Sequence, residues 1–347
     1  MFEIENQKIG PNEKTWLIAE ISANHDRNLD QALELVELAA KTGWNALKLQ
    51  TYTAESLTID SDHHSMAINP IWGHETLYKL YQSAAMPMEF HQPVFARARA
   101  LGMVPFTSVY DPKDMAFVED LDCPVYKIAS FEMTFDDLLC EIAKTRKPVI
   151  MSTGMANLDE VDHAVEVLAK NNAGPVLLLH CVSAYPTPLN AVNLLSLNTL
   201  KQRFGEMVGF SDHTEGSRAA LAAAAMGAVA IEKHITNDRT RPGPDHRFSA
   251  NSGILKEISD GISEIFIARG SDIKEIRPDE VINKNAGRRS AFALHDMPAG
   301  HVINKNDFRF IRPGVGIPPN DPNAPLGRTL ANAVLKGHPI CYEDLIK

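Results

Sequence analysis

Short apolar stretches alternate with amphipathic stretches along the first 270 residues of the chain. The apolar stretches predict strands over residues 15–22, 46–52, 103–109, 125–130, 148–153, 176–182, 207–213 and 230–236. Apolar residues at helical spacing predict helices over 29–43, 158–172, 217–228 and 254–270. Eight strand–helix units in roughly 250 residues match the count and size of a (β/α)8 TIM barrel, an α/β fold. A doubly wound parallel sheet is the alternative, although its glycine-rich first turn does not occur in this sequence.

The pattern changes after residue 270. Residues 271–287 are polar and charged, which is typical of a linker, and residues 288–347 contain short apolar stretches interrupted by Pro and Gly. We therefore expect a barrel domain over 1–270 and a small β-rich domain over 288–347. A long insertion, residues 56–91, separates predicted strands two and three. Because βα loops surround the active site of a barrel, this insertion is a candidate for determining substrate specificity.

The charge balance and the cysteines exclude several classes of function. The 347 residues carry a net charge of −10, whereas binding to nucleic acid or to a membrane surface requires basic patches. The sequence contains no apolar run that predicts a transmembrane helix, and its polar, acidic start does not resemble a signal peptide. The cysteines have no CxxC spacing, so we expect reduced thiols in a cytoplasmic protein: Cys123, Cys140, Cys181 and Cys341.

Polar side chains stand at the carboxyl ends of the predicted strands, where a barrel builds its active site. They are Glu20, Lys48, Gln50, Ser108, Lys127, Ser130, Ser152, Ser183, Ser211, His213 and His234. Each of these residues alone is more often a cap or a structural residue than a ligand. Two lysines among hydroxyl groups on one rim, however, would bury costly charge unless they bound an anion such as a phosphate or a carboxylate.

The eighth predicted strand ends with three ionisable residues in VAIEKHIT, 229–236. His234 and His213 end adjacent strands, so they are candidates for one divalent metal in an open site. A structural role for both histidines is equally compatible with these residues. Glu232 lies on the same side of the strand as His234 and is predicted to support it. Lys233 points the other way and is predicted to be structural.

Several separated motifs resemble the sialic acid synthase family: IAEISANH, KLQTYTAESLT, VYKIASFE, MSTGM, HCVSAYPTP, GFSDHTEG, AIEKHIT and GPDHRFS. That family condenses phosphoenolpyruvate with an N-acetylated amino sugar to make a nonulosonic acid. The tail RRSAFALHDMPAGHVINKNDFRFIRPGVGI is similar to its C-terminal antifreeze-like (SAF) domain. SANHDRNLDQAL, IWGHETLYKLYQ and KIASFE are most similar to the pseudaminic acid synthase branch.

The resemblance implies a role for each matching residue. The metal ligands correspond to His213 and His234, with Mn2+, Mg2+ or Co2+ as the ion. The phosphoenolpyruvate contacts correspond to Lys48, Ser108, Lys127, Ser130, Ser152, Ser183, Tyr185 and Ser211. The sugar contacts correspond to Gln50, Glu132, Asp245 and Arg312. Arg312 is expected to reach the site of a neighbouring subunit, which implies a domain-swapped homodimer.

The implied reaction begins when C3 of phosphoenolpyruvate attacks the aldehyde carbon of the open-chain sugar, whose oxygen the metal polarises. Water adds to C2, and phosphate leaves by C–O cleavage. Catalytic roles are expected for Lys48 and Lys127, which offset the anionic charge, and for Glu20, which either stabilises the cationic centre or orients the water.

Two alternatives remain open, a class I aldolase with a Schiff base on Lys127 or Lys233 and a non-catalytic sugar-binding protein. The expected sugar is 2,4-diacetamido-2,4,6-trideoxy-L-altrose. The precursors of legionaminic and N-acetylneuraminic acid are the alternatives, since a few loop residues distinguish such sugars.

Overall fold

The computed structural model describes residues 1–66, 76–321 and 325–346. The chain forms two compact units, Met1–Gly270 and Ser271–Lys347. Part of the predicted insertion, residues 67–75, lies outside the described residues. Within the described ranges, no helix has both the length and the apolar character needed to cross a membrane.

The chain begins with an antiparallel hairpin that the sequence analysis did not predict. Its strands are Phe2–Ile4 (β1) and Gln7–Ile9 (β2). Glu5 and Asn6 form the turn in the left-handed region, with φ of 45° and 65°. The hairpin is attached to the amino end of the next strand, because Trp16 Nε1 donates a hydrogen bond of 2.7 Å to Gln7 Oε1.

Eight parallel strands follow: Trp16–Glu20 (β3), Ala46–Thr51 (β4), Val104–Val109 (β5), Tyr126–Ile128 (β6), Val149–Ser152 (β7), Val176–Cys181 (β8), Val208–Asp212 (β9) and Ala230–His234 (β10). Consecutive strands are neighbours, and β10 pairs with β3 to close the barrel. Glu20 pairs in register with both His234 and Lys48, so the carboxyl ends of β10, β3 and β4 are level. The predicted (β/α)8 barrel and its eight strands are confirmed.

The described part of this unit contains ten α-helices: Leu29–Lys41 (α1), Ala54–Leu57 (α2), Leu77–Ala84 (α3), Met88–Ala100 (α4), Met115–Asp120 (α5), Asp136–Lys144 (α6), Leu158–Lys170 (α7), Ser196–Phe204 (α8), Arg218–Ala225 (α9) and Ser252–Arg269 (α10). In α1, the Asn28 side chain accepts a hydrogen bond from the Gln31 amide, which satisfies a free donor of the first turn. Leu35 and Val36 of α1 are buried in the core around the barrel. The four predicted helices correspond to α1, α7, α9 and α10.

The second unit is a small β-rich body. It contains a helix, Val281–Gly287 (α11), and an antiparallel pair of strands, Ser290–Ala293 (β11) and Phe308–Ile311 (β12). Single bridges such as Met297 to Val334 extend the β structure. Its separate apolar core consists of Ala291, Ala293, Met297, Ile303, Ile317, Leu330, Val334, Ile340 and Leu345. The segment predicted as a linker is therefore partly helical, because α11 occupies its end.

Candidate functional site

A cavity of about 790 Å³ lies at the carboxyl ends of the barrel strands. Strand β4 explains how its side chains are presented, since alternate residues of a strand point to opposite sides. Lys48, Gln50 and Tyr52 line the cavity, whereas Leu47 and Leu49 are buried in the apolar core.

Most of the predicted site residues line this one cavity: Lys48, Gln50, Lys127, Ser130, Glu132, Ser152, Ser183, Tyr185, Ser211, His213, His234 and Asp245. Glu20 and Ser108 are fully buried and do not belong to the described lining. Arg312 is exposed in the second unit, next to Pro313, with which it forms a cis peptide bond.

Lys48 lies between two carboxylates. Its Nζ atom is 2.5 Å from Glu20 Oε2 and donates to Glu232 Oε1 at 2.9 Å. Burial lowers the pKa of Lys48 to about 8, although the Glu232 charge acts in the opposite direction. Burial alone would raise the pKa of Glu232, but the charges of Lys127 and Lys48 lower it to about 2. The pair is therefore ionised at neutral pH, and Lys48 is close to its titration range.

Lys127 is a buried ammonium whose described hydrogen bonds are to neutral groups. Its Nζ atom donates to Ser152 Oγ at 2.7 Å and to the Ile128 carbonyl oxygen at 2.9 Å. A buried cation requires a counter-charge, and an anionic ligand in the cavity would supply one. Lys127 and Lys48 therefore make this part of the cavity suitable for a phosphate or a carboxylate.

A close approach of three loops adds hydroxyl and amide groups beside the lysines. The Gly154 amide donates to Ser130 Oγ at 3.1 Å. A Cβ atom at position 154 would collide with Ser183 Oγ and Ser130 Oγ, so any larger residue would displace these two hydroxyl groups. The Ser183 hydroxyl is buried within this cradle.

His213 and His234 lie side by side, with ring centroids 5.3 Å apart. Nδ1 of His213 is 3.1 Å from the Val182 carbonyl oxygen, which fits an Nδ1–H tautomer and leaves Nε2 as an acceptor. Nδ1 of His234 is buried without a hydrogen-bond partner among the described residues, 3.7 Å from Asp245 Oδ2. Burial holds the pKa of His234 well below its usual value, so its imidazole is neutral.

The two imidazoles fit a divalent cation that keeps positions open for water or substrate. In the described part of the chain, no three potential ligands are grouped closely enough to form a complete protein cage. Burial alone would lower the pKa of His213. The nearby Cys181 sulfur, 3.8 Å from its Nδ1 atom, acts in the opposite direction, and the net pKa lies above the usual value.

Two of the predicted sugar contacts, Gln50 and Asp245, are joined through Ser22. Gln50 Nε2 donates to Ser22 Oγ at 3.0 Å, and the Ser22 hydroxyl in turn donates to Asp245. Burial raises the pKa of Asp245. Burial also raises the pKa of Glu132 to about 7, so its carboxyl group is partly protonated at neutral pH and is then a donor as well as an acceptor.

The insertion supplies an apolar side of the cavity. Its lining residues are Leu57 from α2 and Leu77, Leu80, Tyr81 and Ala84 from α3. The sequence analysis marks the insertion as a candidate for determining substrate specificity and names no residue in it.

Sequence reasoning placed Glu232 behind His234, whereas its described hydrogen bonds are with Lys48 and Ser211. Lys233 has the predicted structural position, since its Nζ atom donates to Asp212 Oδ2 and to the Thr214 carbonyl oxygen, both at 2.7 Å. Further residues of the lining were not predicted as site residues: Ser22, Tyr52, Tyr110, Cys181 and Glu232. The two-residue alternation from Lys48 through Gln50 would have identified Tyr52.

Comparisons with known proteins agree with this geometry. A model described as the NeuB family matches residues 35–274, and a SAF domain model matches residues 288–346. The chain is 34% identical over 330 residues to a Helicobacter pylori protein named pseudaminic acid synthase, covering 95% of this chain and 97% of that protein. It is also 34% identical over 307 residues to a Campylobacter jejuni N,N'-diacetyllegionaminic acid synthase, with coverage of 88% and 92%.

A solved structure extends the likeness to three dimensions. The N-acetylneuraminic acid synthetase of Leptospira borgpetersenii, crystallised with citrate, is 29% identical and has a TM-score of 0.73, over 81% of this chain and 94% of that one. The resemblance predicted from the motifs is thus confirmed, and the chain belongs to the NeuB family, with a SAF domain at its C-terminal end.

Proposed function

We propose that the protein condenses phosphoenolpyruvate with an open-chain N-acetylated amino sugar, giving a nonulosonic acid and inorganic phosphate. The observation that carries this proposal is the cavity itself, in which Lys48 and Lys127 lie among hydroxyl groups beside a pair of histidines. Two ammonium groups match the two anionic groups of phosphoenolpyruvate, its phosphate and its carboxylate. Named relatives that make pseudaminic and legionaminic acids support the same reaction class.

A divalent ion, Mn2+, Mg2+ or Co2+, would be held by His213 and His234. When bound, it supplies a Lewis acid for the aldehyde oxygen of the sugar. Asp245, whose carboxylate is 3.7 Å from His234 Nδ1, holds the neighbouring Ser22 hydroxyl and so connects the histidines with the sugar contacts.

The residues of this chain have separate tasks in the proposed reaction. Lys48 and Lys127 bind the phosphate and carboxylate of phosphoenolpyruvate and keep its C3 atom directed at the aldehyde carbon. Ser130, Ser152, Ser183, Tyr185 and Ser211 complete this binding. Glu20 holds Lys48 in place and adds negative charge near the cationic centre that develops at C2. The low-dielectric cavity strengthens each of these interactions.

We propose 2,4-diacetamido-2,4,6-trideoxy-L-altrose as the sugar and pseudaminic acid as the product, because the Helicobacter pylori relative carries that name and is matched over 95% of this chain. The equal identity to a legionaminic acid synthase makes the corresponding legionaminic precursor the second candidate. Gln50, Glu132 and Asp245 would contact either sugar.

Of the two lysines in the aldolase alternative, Lys233 is poorly placed to form a Schiff base. Lys233 is buried and bonded to Asp212 and Thr214, and it is not part of the described cavity lining. Lys127 does line the cavity, so a Schiff base on Lys127 is the form of that alternative to be tested. Borohydride trapping with pyruvate would label Lys127 only if the aldolase alternative is correct.

We propose a domain-swapped homodimer in which Arg312 completes the sugar site of the partner. Loops at the carboxyl ends of β6, β7 and β8 expose apolar side chains that a partner would cover: Phe131, Phe135, Met155, Leu158 and Leu189. Arg312→Ala should raise the KM for the sugar and leave the KM for phosphoenolpyruvate unchanged, and light scattering should give twice the monomer mass. A monomer with full activity would contradict this arrangement.

The test of the proposed function is phosphate release with phosphoenolpyruvate and each of the three candidate sugars. We expect release only when phosphoenolpyruvate, an amino sugar and a divalent ion are all present, with the altrose derivative fastest. EDTA should abolish release, and added Mn2+, Mg2+ or Co2+ should restore it. His213→Ala should also abolish ion binding measured by calorimetry, and full activity of this variant without added metal would disprove the metal assignment.

A further inference from the structure

The two candidate metal ligands differ in how their rings are held. Nδ1 of His213 lies 3.1 Å from the Val182 carbonyl oxygen, which orients that imidazole. Nδ1 of His234 is buried without a hydrogen-bond partner among the described residues, and the Asp245 carboxylate, at 3.7 Å, is beyond hydrogen-bond distance. A metal-binding histidine is usually oriented by a hydrogen bond from its other ring nitrogen. His234 therefore requires another means of orientation.

Two aromatic side chains pack against the ring of His234. The ring centroid of Phe248 is 5.1 Å away and that of Tyr185 is 6.2 Å away. Phe248 also lies 5.6 Å from Tyr185, which in turn lies 4.3 Å from His213. These are the distances of packed aromatic rings. Tyr185 lines the cavity, whereas Phe248 is buried and is not part of the described lining, so it contacts the imidazole from within the protein.

Phe248 belongs to a segment whose backbone is attached to the end of β10. The segment lies in the loop between β10 and α10 and returns beside the strand that carries His234. The Ala250 amide donates to the His234 carbonyl oxygen at 2.8 Å, and the Thr236 amide donates to the Ala250 carbonyl oxygen at 2.9 Å. Because both side chains stand on backbone joined by these bonds, the Phe248 ring has a fixed position relative to the imidazole.

We propose that Phe248 is a positioning residue that fixes the orientation of His234 for binding of a divalent ion. Packing against a ring has the role at His234 that the Val182 carbonyl oxygen has at His213. A smaller side chain at position 248 would leave space into which the imidazole turns, and binding an ion would then require ordering of the ring at a cost in conformational entropy. This inference rests on the metal assignment made within the proposed function.

The test is calorimetric titration of Co2+ alone into the metal-free wild type and into two variants. Phe248→Ala should raise the Kd for Co2+ by about tenfold, which is the effect of losing a group that orients a metal ligand. Phe248→Leu keeps more of the bulk and loses the ring contact, so the Kd should rise by about threefold. Thermal melting of the same samples shows that the titrated variants are folded.

The matched control is Phe117→Ala. The Phe117 ring packs 5.4 Å from the ring of His91, a buried histidine, and neither residue is part of the described cavity lining. This variant should melt at a lower temperature and keep the wild-type Kd for Co2+.

An unchanged Kd in the Phe248 variants would overturn the inference, as would an equal rise in Phe117→Ala. Should Phe248→Ala not fold, an unchanged Kd in Phe248→Leu alone would overturn it. Absence of Co2+ binding by the wild type would instead overturn the metal assignment, and the inference with it. The condensation itself is tested separately, by phosphate release.

Discussion

Two buried pairs of a lysine and a carboxylate share strand β10, yet they face different surroundings. Lys233 pairs with Asp212 at 2.7 Å, and neither side chain belongs to the described cavity lining. Its neighbour Glu232 points to the other side of the strand and pairs with Lys48 at 2.9 Å, where both residues line the cavity. Burial and pairing are alike in the two places. Access to a cavity, rather than burial, therefore separates a structural ion pair from one that can bind a substrate.

The two pairs also differ in how completely their members are satisfied. Lys233 donates to Asp212 and to the Thr214 carbonyl oxygen, and Asp212 also accepts from the Thr214 amide. In contrast, Oε2 of Glu232 is buried without a hydrogen-bond partner among the described residues. An unsatisfied carboxylate oxygen at a cavity is costly unless a ligand or water donates to it, which favours a functional role for the Glu232 pair.

The largest effect is expected from breaking the structural pair. Lys233→Met leaves the Asp212 carboxylate buried and uncompensated, which should lower the free energy of unfolding by about 3–5 kcal/mol. Urea denaturation measures this change, and kcat/KM of the folded variant should stay near the wild-type value. Adding Asp212→Leu should recover most of the stability, because an apolar pair of similar volume replaces the ion pair. A large loss of kcat/KM in folded Lys233→Met would erase the distinction between the pairs.

The same substitution at Lys48 should affect catalysis. Lys48→Met removes a cation that binds the substrate, so kcat/KM for phosphoenolpyruvate should fall by about 10²–10³-fold. Steady-state phosphate release measures it. Lys233→Met is the matched control, since both variants replace one buried lysine by methionine. Comparable kcat/KM values for the two variants would contradict the assignment of Lys48.

A smaller effect is expected from pH. The folded-state pKa of Lys48 is lowered by burial to about 8, so its ammonium is lost as the pH rises through that value. Because kcat/KM reports the free enzyme, kcat/KM for phosphoenolpyruvate should fall above pH ~8, by about tenfold for each further pH unit. A Lys48→Arg variant, whose guanidinium stays charged, should lose this decline even if its overall rate is low. A flat wild-type profile up to pH ~10 would refute the role of the Lys48 charge.

The smallest effect is expected at an exposed pair. The guanidinium of Arg97 contacts Glu37 on the surface between α4 and α1, and both side chains are nearly half exposed. Arg97→Ala should change the free energy of unfolding by less than about 1 kcal/mol, because solvent screens such pairs. Calorimetric melting of Arg97→Ala and of Lys233→Met compares the two losses of stability. Equal losses would show that burial does not determine how much these ion pairs stabilise the fold.

Hydrophobic periodicity was sufficient to predict the barrel. Strand β4 shows why, since its apolar and polar residues alternate and its buried side must face helices. The hairpin of β1 and β2 was missed because strands of three residues are too short to produce a periodic signal. The helix α11 was missed because its seven residues, VINKNAG, are too few to show a helical repeat of apolar positions, and none of them is buried.

The alternation of side chains along a strand made part of the site predictable. Contacts that depend on how far a long side chain reaches were not predictable. Lys48 and Gln50 follow from alternation, and both line the cavity. The partner of Glu232 depends on the length of Lys48, which crosses from β4 to β10 beside β3. The alternation along β10 places Glu232 on the same side as His234, but it carries no information about Lys48, which is 184 positions away in the sequence. The apolar side that the insertion gives to the cavity likewise depends on where α3 packs, which short-range patterns do not encode.

The most direct measurement is the mass spectrum of the products formed from phosphoenolpyruvate that carries 18O at its bridging oxygen. With 2,4-diacetamido-2,4,6-trideoxy-L-altrose and a divalent ion, the sugar product should gain the mass of phosphoenolpyruvate plus water minus phosphoric acid. The label should leave with phosphate, as C–O cleavage requires. A product of unchanged sugar mass, or phosphate released without the sugar, would contradict the proposed condensation.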